Sequence, residues 1–153
     1  MKGINKDEMQ VIGIELETMT SNLNGKAHID CGRLWHHFQA ENIIGKIPNR
    51  VNNEVMAVYF NYEGDYSEPY SFMIGCEVNP GTEAPQDMRK VTIPKSAYRK
   101  FVAKGKMPEC VADVWHLIWG TKLDRSYTYD FEIYGEKSKD WENAEVEVFI
   151  GVK

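Results

Sequence analysis

The sequence lacks long hydrophobic stretches, and its longest uninterrupted apolar run is the six residues Val55 to Phe60. A membrane-spanning helix needs about 20 apolar residues, so none is expected. No basic segment followed by an apolar stretch opens the chain, and no secretion signal is visible. Cysteine is scarce too, since Cys31, Cys76 and Cys110 lie far apart. They suggest neither a disulfide framework nor a zinc site, and we expect a cytoplasmic protein.

Positive charge is also in short supply. The 18 Lys and Arg residues face 23 Asp and Glu residues, which gives a net charge of −5 at pH 7. Because phosphate contacts need a basic surface, we expect no direct nucleic-acid partner, and no membrane partner either. The sequence contains no nucleophile elbow, phosphate-binding loop or dinucleotide-binding fingerprint. Its four histidines have no metal-ligand spacing, so catalytic residues, metals and cofactors are not expected.

Aromatic residues, in contrast, are abundant. Eight Tyr, six Phe and four Trp make up 12% of the 153 residues. Most such rings fill a hydrophobic core, but Tyr and Trp also line cavities that bind flat organic molecules. Both roles remain open on composition alone.

Two segments have the apolar spacing of an amphipathic helix. Cys31, Leu34, Trp35 and Phe38 follow the i, i+3, i+4, i+7 pattern, with Asp30 as the expected N-cap. A second helix starts near Pro108 and repeats the pattern 80 residues later, with Trp115 in the place of Trp35. The positions of this second pattern are Val111, Val114, Trp115 and Ile118.

Alternating segments predict strands around both helices, while residues 1–8 are polar and are expected to be frayed. The predicted strands are 11–18, 55–60, 70–78, 89–93, 97–103, 129–134 and 145–152. We therefore predict an α+β fold, a tandem pseudo-twofold repeat of two βαββ units with antiparallel sheets. The single domain would comprise a first half at about 9–78, a linker at 79–87 and a second half at about 88–153. A central ligand cleft would lie between the two helices.

The strand at 129–134 carries the most informative acidic residue. Asp130, Glu132 and Tyr134 share one face, and Phe131 and Ile133 share the other. Glu132 either faces water on a half-exposed strand or stands in the cleft among the rings of both halves. The alternation does not decide between these interpretations.

Seven segments, spread in order along nearly the whole chain, resemble the GyrI-like small-molecule-binding domain. This domain is also called the AraC-type effector-binding domain, and the resemblance is to its stand-alone form. They are VIGIELET (11–18), LWHHF (34–38), VMAVYFNYEGDYSEPYSFMIGCEV (55–78), VTIPKSAYRKFVAKG (91–105), WHLIW (115–119), DFEIYG (130–135) and VEVFIGV (146–152). The resemblance implies a doubled βαββ fold. Fused relatives carry a DNA-binding module ahead of this domain, for which the eight residues before the first strand leave no room.

The resemblance also implies binding of bulky, hydrophobic and often cationic organic molecules, such as drugs and dyes. In the family, an acidic residue on the corresponding strand reaches into the cleft. This residue corresponds to Glu132, and Tyr134 follows it on the same face. Trp35 and Trp115 would be cleft walls, and Tyr59, Phe72 and Trp119 are further candidates that equally suit a core. The implied role is a sensor or sequestering protein linked to transcription regulation or multidrug response. Two alternatives stay open: a hydrolase of electrophilic small molecules with Glu132 as general base, and a gyrase-inhibitor-type protein that binds a protein partner.

Overall fold

The computed structural model describes residues 3–153, which form mainly strands together with a few helices. The strands are β1 (Ile4–Lys6), β2 (Met9–Glu15), β3 (Val55–Phe60), β4 (Ser71–Val78), β5 (Arg89–Ile93), β6 (Ser96–Gly105), β7 (Arg125–Tyr134) and β8 (Ala144–Val152). The helices are α1 (Lys26–Ala40), α2 (Ile43–Lys46) and α3 (Glu109–Gly120). In this described part, no helix is long and apolar enough to cross a membrane.

All eight strands join one antiparallel sheet in the order β1-β6-β8-β7-β3-β4-β2-β5. The predicted α+β class with antiparallel strands is therefore confirmed. The order reads the same from both ends if β1 to β4 are matched with β5 to β8. Two related halves that meet at β3 and β7 would give this order, and the repeat itself stays a prediction.

The expectation of a frayed start is wrong for Ile4–Lys6. This strand pairs with Ser96 to Tyr98 of β6, while β5 pairs with β2 on the opposite side of the sheet. Each half thus supplies an edge strand to the other half. Residues 1 and 2 of the expected frayed segment lie outside the described residues.

The two long helices present matching faces to the sheet. Residues 31–40 and 111–120 have the same degree of burial at nine of ten positions, and the most buried residues are Phe38 and Ile118. Helix α1 begins earlier than predicted, after a left-handed Gly25 with φ 70°. Asp30 is therefore not a cap. It lies inside the helix, where its carboxylate accepts hydrogen bonds from Thr20 Oγ1 (2.7 Å) and Lys26 Nζ (2.6 Å).

The sheet buries both of its faces. One face packs against the helices through residues such as Ile74 and Val148, both fully buried. No helix of the described residues 3–153 covers the opposite face. Val58 and Phe131 on that face are nevertheless fully buried, in a cluster that draws on seven strands. Burial without a covering helix requires the sheet to curl over this face. The candidate site lies on the other face, the helix side of the sheet, at the central strands β3 and β7.

Candidate functional site

Glu132 lies at the centre of the sheet on β7, between β3 and β8. Its register partners are Ala57 and Val148, both fully buried. The Glu132 side chain points to the helix side, and the residue is only 1% exposed. The interpretation of Glu132 as a water-facing strand residue is therefore wrong.

Three side chains donate hydrogen bonds to the Glu132 carboxylate. Trp115 Nε1 on α3 lies 2.5 Å from Oε2, and the Tyr59 hydroxyl on β3 lies 3.0 Å from the same oxygen. The Tyr134 hydroxyl on β7 lies 2.6 Å from Oε1. Both halves of the chain therefore hold one carboxylate in a fixed orientation. All three donors are residues that the family resemblance implied for the cleft.

Burial raises the pKa of Glu132 above its ordinary value, because an apolar environment disfavours the charged form. The hydrogen bonds from Tyr134, Trp115 and Tyr59 oppose this rise. The pKa values of Tyr59 and Tyr134 are raised as well, first by burial and then by the charge of Glu132. Both phenols therefore keep their protons and remain donors at neutral pH.

Glu132 has no positive partner in the part of the chain that the structure describes. Within residues 3–153, its carboxylate forms no ion pair with Lys, Arg or His, and no cationic side chain contributes to its pKa shift. The same described range contains no group of three His, Cys, Asp or Glu residues that would hold a metal ion. A buried carboxylate that lacks a counter-ion is an attractive position for a positive group of a ligand.

A cavity of about 2050 Å³ opens between α1 and α3, and Glu132 contributes to its wall. Five of the predicted aromatic residues line it with Glu132: Trp35, Tyr59, Trp115, Trp119 and Tyr134. The Trp35 ring meets Tyr134 edge-on at 4.9 Å, and Tyr59 lies 5.1 Å from Trp115. Since these rings are half-buried, their free surfaces face the cavity. The structure thus brings Trp35 and Trp115 to one site.

Phe72 is the exception among the predicted wall residues. It is fully buried and does not line the cavity, because the Tyr59 ring lies in front of it at 4.9 Å. Phe72 therefore supports the wall from behind. Of the two roles left open for Phe72, cleft wall and core, the structure shows the core position.

Sequence reasoning missed three tyrosines that line the cavity from the connection between β3 and β4. Tyr62 and Tyr70 lie 5.5 Å apart, and Tyr66 stacks on Trp119 at 5.7 Å with an interplanar angle of 15°. Tyr66 and Trp119 thus bring the connection and α3 together. The available signal was the tyrosine spacing of three or four residues from Tyr59 to Tyr70.

A second buried carboxylate was also missed. Asp130 is fully buried on the same face of β7 as Glu132, and its Oδ2 lies 2.7 Å from Arg125 Nη2. Tyr62 donates to the same oxygen at 2.5 Å, and the Gly151 amide donates to Oδ1 at 2.8 Å. Burial is the largest single influence on the pKa of Arg125 and would lower it, but the charge and hydrogen bond of Asp130, together with Tyr62 and Tyr127, raise that pKa overall. Asp130 is therefore held in a closed ion pair, unlike Glu132.

The curled antiparallel sheet, the paired helices and the aromatic cavity define a small effector-binding domain. A family model described as Cass2, the integron-associated effector binding protein, matches residues 4–152. The chain belongs to this family, which confirms the resemblance to stand-alone effector-binding domains.

Individual relatives agree with the family assignment. The integron cassette protein VCH_CASS2 from the mobile metagenome of Vibrio cholerae is 26% identical, with a TM-score of 0.75 over 99% of this chain and 95% of that one. SAV2435, solved with bound tetraphenylphosphonium, has the same fold at a TM-score of 0.75 and 19% identity, over 99% of this chain and 93% of that one. The putative transcriptional regulator YobU of Bacillus subtilis is 28% identical over 105 residues, which span 67% of this chain and 66% of YobU.

Proposed function

We propose that this protein binds hydrophobic organic cations in the cavity between α1 and α3, with Glu132 as the charge that selects them. One observation carries the proposal: Glu132 is 1% exposed, receives three hydrogen bonds and has no counter-ion among the described residues. The tetraphenylphosphonium complex of SAV2435 supports the same ligand class by analogy.

The physical argument begins with the cost of the buried charge. An isolated carboxylate in an apolar site either takes up a proton or acquires a positive partner. A large delocalised cation is a suitable partner because it loses little hydration when it leaves water. Each well-placed ring adds about 0.5 to 2 kcal/mol of cation–π attraction. The rings tolerate many ligand shapes, whereas the single carboxylate selects the sign of the charge.

We further propose that the protein acts as a stand-alone sensor or sequestering protein linked to transcription regulation or multidrug response. The similarity to YobU, the putative transcriptional regulator of Bacillus subtilis, supports this link. The cytoplasm is the proposed location, because Cys31, Cys76 and Cys110 are all unpaired, as in reducing compartments.

The decisive test compares two ions of the same shape and opposite charge. Tetraphenylphosphonium and tetraphenylborate are titrated by calorimetry into the wild-type protein and into Glu132→Gln. We expect the wild type to favour the cation strongly, and Glu132→Gln to weaken its binding about 30-fold, or roughly 2 kcal/mol. Borate binding should not weaken in the variant. Because Trp35, Trp115 and Trp119 line the cavity, the cation should also change the tryptophan fluorescence.

Glu136→Gln is the matched control. Glu136 also lines the cavity, but its side chain is 84% exposed and contacts Lys139, so this substitution should change cation affinity less than twofold. Equal effects of the two substitutions would contradict a specific role for Glu132. Turnover of an electrophilic ester by the wild type but not by Glu132→Gln would instead favour the hydrolase alternative.

A further inference from the structure

Arg125 has hydrogen-bonding capacity that its ion pair does not use. Its side chain is 5% exposed, and Nη2 donates to Asp130 at 2.7 Å. Among residues 3–153, Nε and Nη1 are buried and have no hydrogen-bond partner. These two nitrogens carry three N–H groups, which are costly to bury without an acceptor.

The surroundings of Arg125 do not supply this acceptor. The ring of Tyr127 lies 4.3 Å from the guanidinium carbon, and that of Tyr62 lies 5.9 Å away. Such rings attract the positive charge, but they do not provide the lone pair that a conventional N–H hydrogen bond requires. Asp130 is already engaged by Tyr62 and by the amide of Gly151. The N–H groups of Nε and Nη1 therefore have no acceptor among the described residues.

Arg125 lines the same cavity as Glu132. A row of aromatic rings connects Glu132 and Arg125. Tyr59 donates a hydrogen bond to Glu132, and its ring centroid lies 5.8 Å from that of Tyr70. The centroids of Tyr70 and Tyr62 lie 5.5 Å apart. Asp130 and Glu132 are two residues apart on one strand face, which corresponds to about 7 Å. The cavity therefore has an anionic end and a donor end joined by an aromatic wall.

We propose that Arg125 is a second polar anchor, which binds a carboxylate or carbonyl oxygen on the same molecule whose positive group lies beside Glu132. The inference rests on the proposed function and narrows its ligand class. The preferred ligand is an aromatic cation with a hydrogen-bond acceptor about 7 Å or more from its positive charge. Nη1 or Nε donates to this acceptor, while Nη2 remains with Asp130.

Two phosphonium ions of equal chain length provide the test. (4-Carboxybutyl)triphenylphosphonium carries a terminal carboxylate at pH 8, whereas pentyltriphenylphosphonium ends in a methyl group. The dissociation constant of each ligand is measured by calorimetry, and the readout is the ratio of the two dissociation constants. We expect Arg125→Lys to lower the preference for the carboxylate ligand about tenfold. Lysine keeps a positive charge for Asp130 but lacks the additional N–H donors of Nε and Nη1.

Lys139→Gln serves as the control, because Lys139 is a 71% exposed basic residue in the cavity wall and its loss should leave the ratio unchanged. If Arg125→Lys does not fold, the double variant Arg125→Met with Asp130→Leu replaces the ion pair by apolar side chains and gives the same readout. An unchanged ratio in the folded variant, or a wild type that does not favour the carboxylate ligand, overturns the inference.

The failure of this inference is distinguishable from failure of the proposed function. Glu132→Gln should weaken both phosphonium ions together, because both carry the positive charge. If Glu132→Gln weakens neither ion, the proposed function fails, whatever Arg125→Lys does. If Glu132→Gln weakens both and Arg125→Lys leaves the ratio intact, only the second anchor fails.

Discussion

Strand β7 carries two buried carboxylates on one face, and their surroundings differ in one respect. Asp130 is fully buried against the guanidinium of Arg125, with Tyr62 and an amide as further donors. Glu132 is equally buried but receives only neutral donors, Tyr59, Trp115 and Tyr134. A carboxylate with its own cation stabilises the fold as part of a pair. A buried carboxylate without a cationic partner can accept the positive group of a ligand as its counter-ion.

The largest expected effect is on stability, from Asp130→Asn. This change leaves the buried Arg125 without its negative partner, which typically costs about 3 to 5 kcal/mol. Urea unfolding at pH 8 measures the loss. Glu132→Gln is the matched comparison, because it removes a buried charge that has no partner, and its free energy of unfolding should stay within about 1 kcal/mol of the wild type or rise. Similar losses in both variants would show that the two carboxylates do not differ as described.

The helical part of the site could be predicted from the sequence because helical spacing is local. The spacing of Trp35 and Trp115 within their apolar stripes placed both on the inner sides of α1 and α3, where the structure has them. Period-two alternation likewise placed Glu132 and Tyr134 on one strand face. Alternation does not tell which face the helices cover, so the cleft position of Glu132 depended on the family resemblance.

Other features required long-range information. The three residues of β1 have no local strand signal, and their pairing with β6 joins segments about 90 residues apart. The Arg125–Asp130 pair depends on an irregular stretch of β7 in which Tyr127 adopts a left-handed φ of 51°. A non-glycine residue gives little sign of such a conformation. The depth of Phe72 depends on how the Tyr59 ring packs over it.

The next effect in size is the pH dependence of cation binding. The pKa of Glu132 is raised in the unliganded protein, and a bound cation lowers it, because opposite charge favours the ionised form. Cation affinity should therefore rise with pH by up to about tenfold per unit below the raised pKa, and level off above it. Titrations with tetraphenylphosphonium from pH 4.5 to 8.5 measure this, and Glu132→Gln should show a flat profile. A wild-type profile as flat as that of the variant would contradict an ionising Glu132.

Stability of the unliganded protein should change in the opposite direction. A carboxyl group with a folded pKa above its unfolded value binds more protons in the folded state, so its contribution to stability falls as pH rises between the two values. The difference in melting temperature between the wild type and Glu132→Gln isolates this contribution. Because Asp130 is present in both proteins, its contribution to the pH dependence of stability cancels in this difference.

The smallest effect comes from a matched pair of tyrosine substitutions. Tyr134→Phe removes one of the three donors to Glu132, and Tyr62→Phe removes one donor to Asp130. Loss of the Tyr134 hydroxyl raises the pKa of Glu132 further, because this hydrogen bond favours the charged form. The pH profile for tetraphenylphosphonium should shift upwards, with an affinity loss of about 1 kcal/mol, roughly fivefold, near the midpoint.

Tyr62→Phe should leave the midpoint of that profile in place, because Arg125 and the Gly151 amide still hold Asp130 and no contact of Glu132 changes. Its expected cost is a loss of about 1 kcal/mol in the free energy of unfolding. A shift of the binding midpoint in both variants would mean that the two carboxylates titrate as one coupled unit. A shift in Tyr134→Phe alone assigns the ligand-linked proton to Glu132, since the two substitutions remove the same chemical group from two positions that line one cavity.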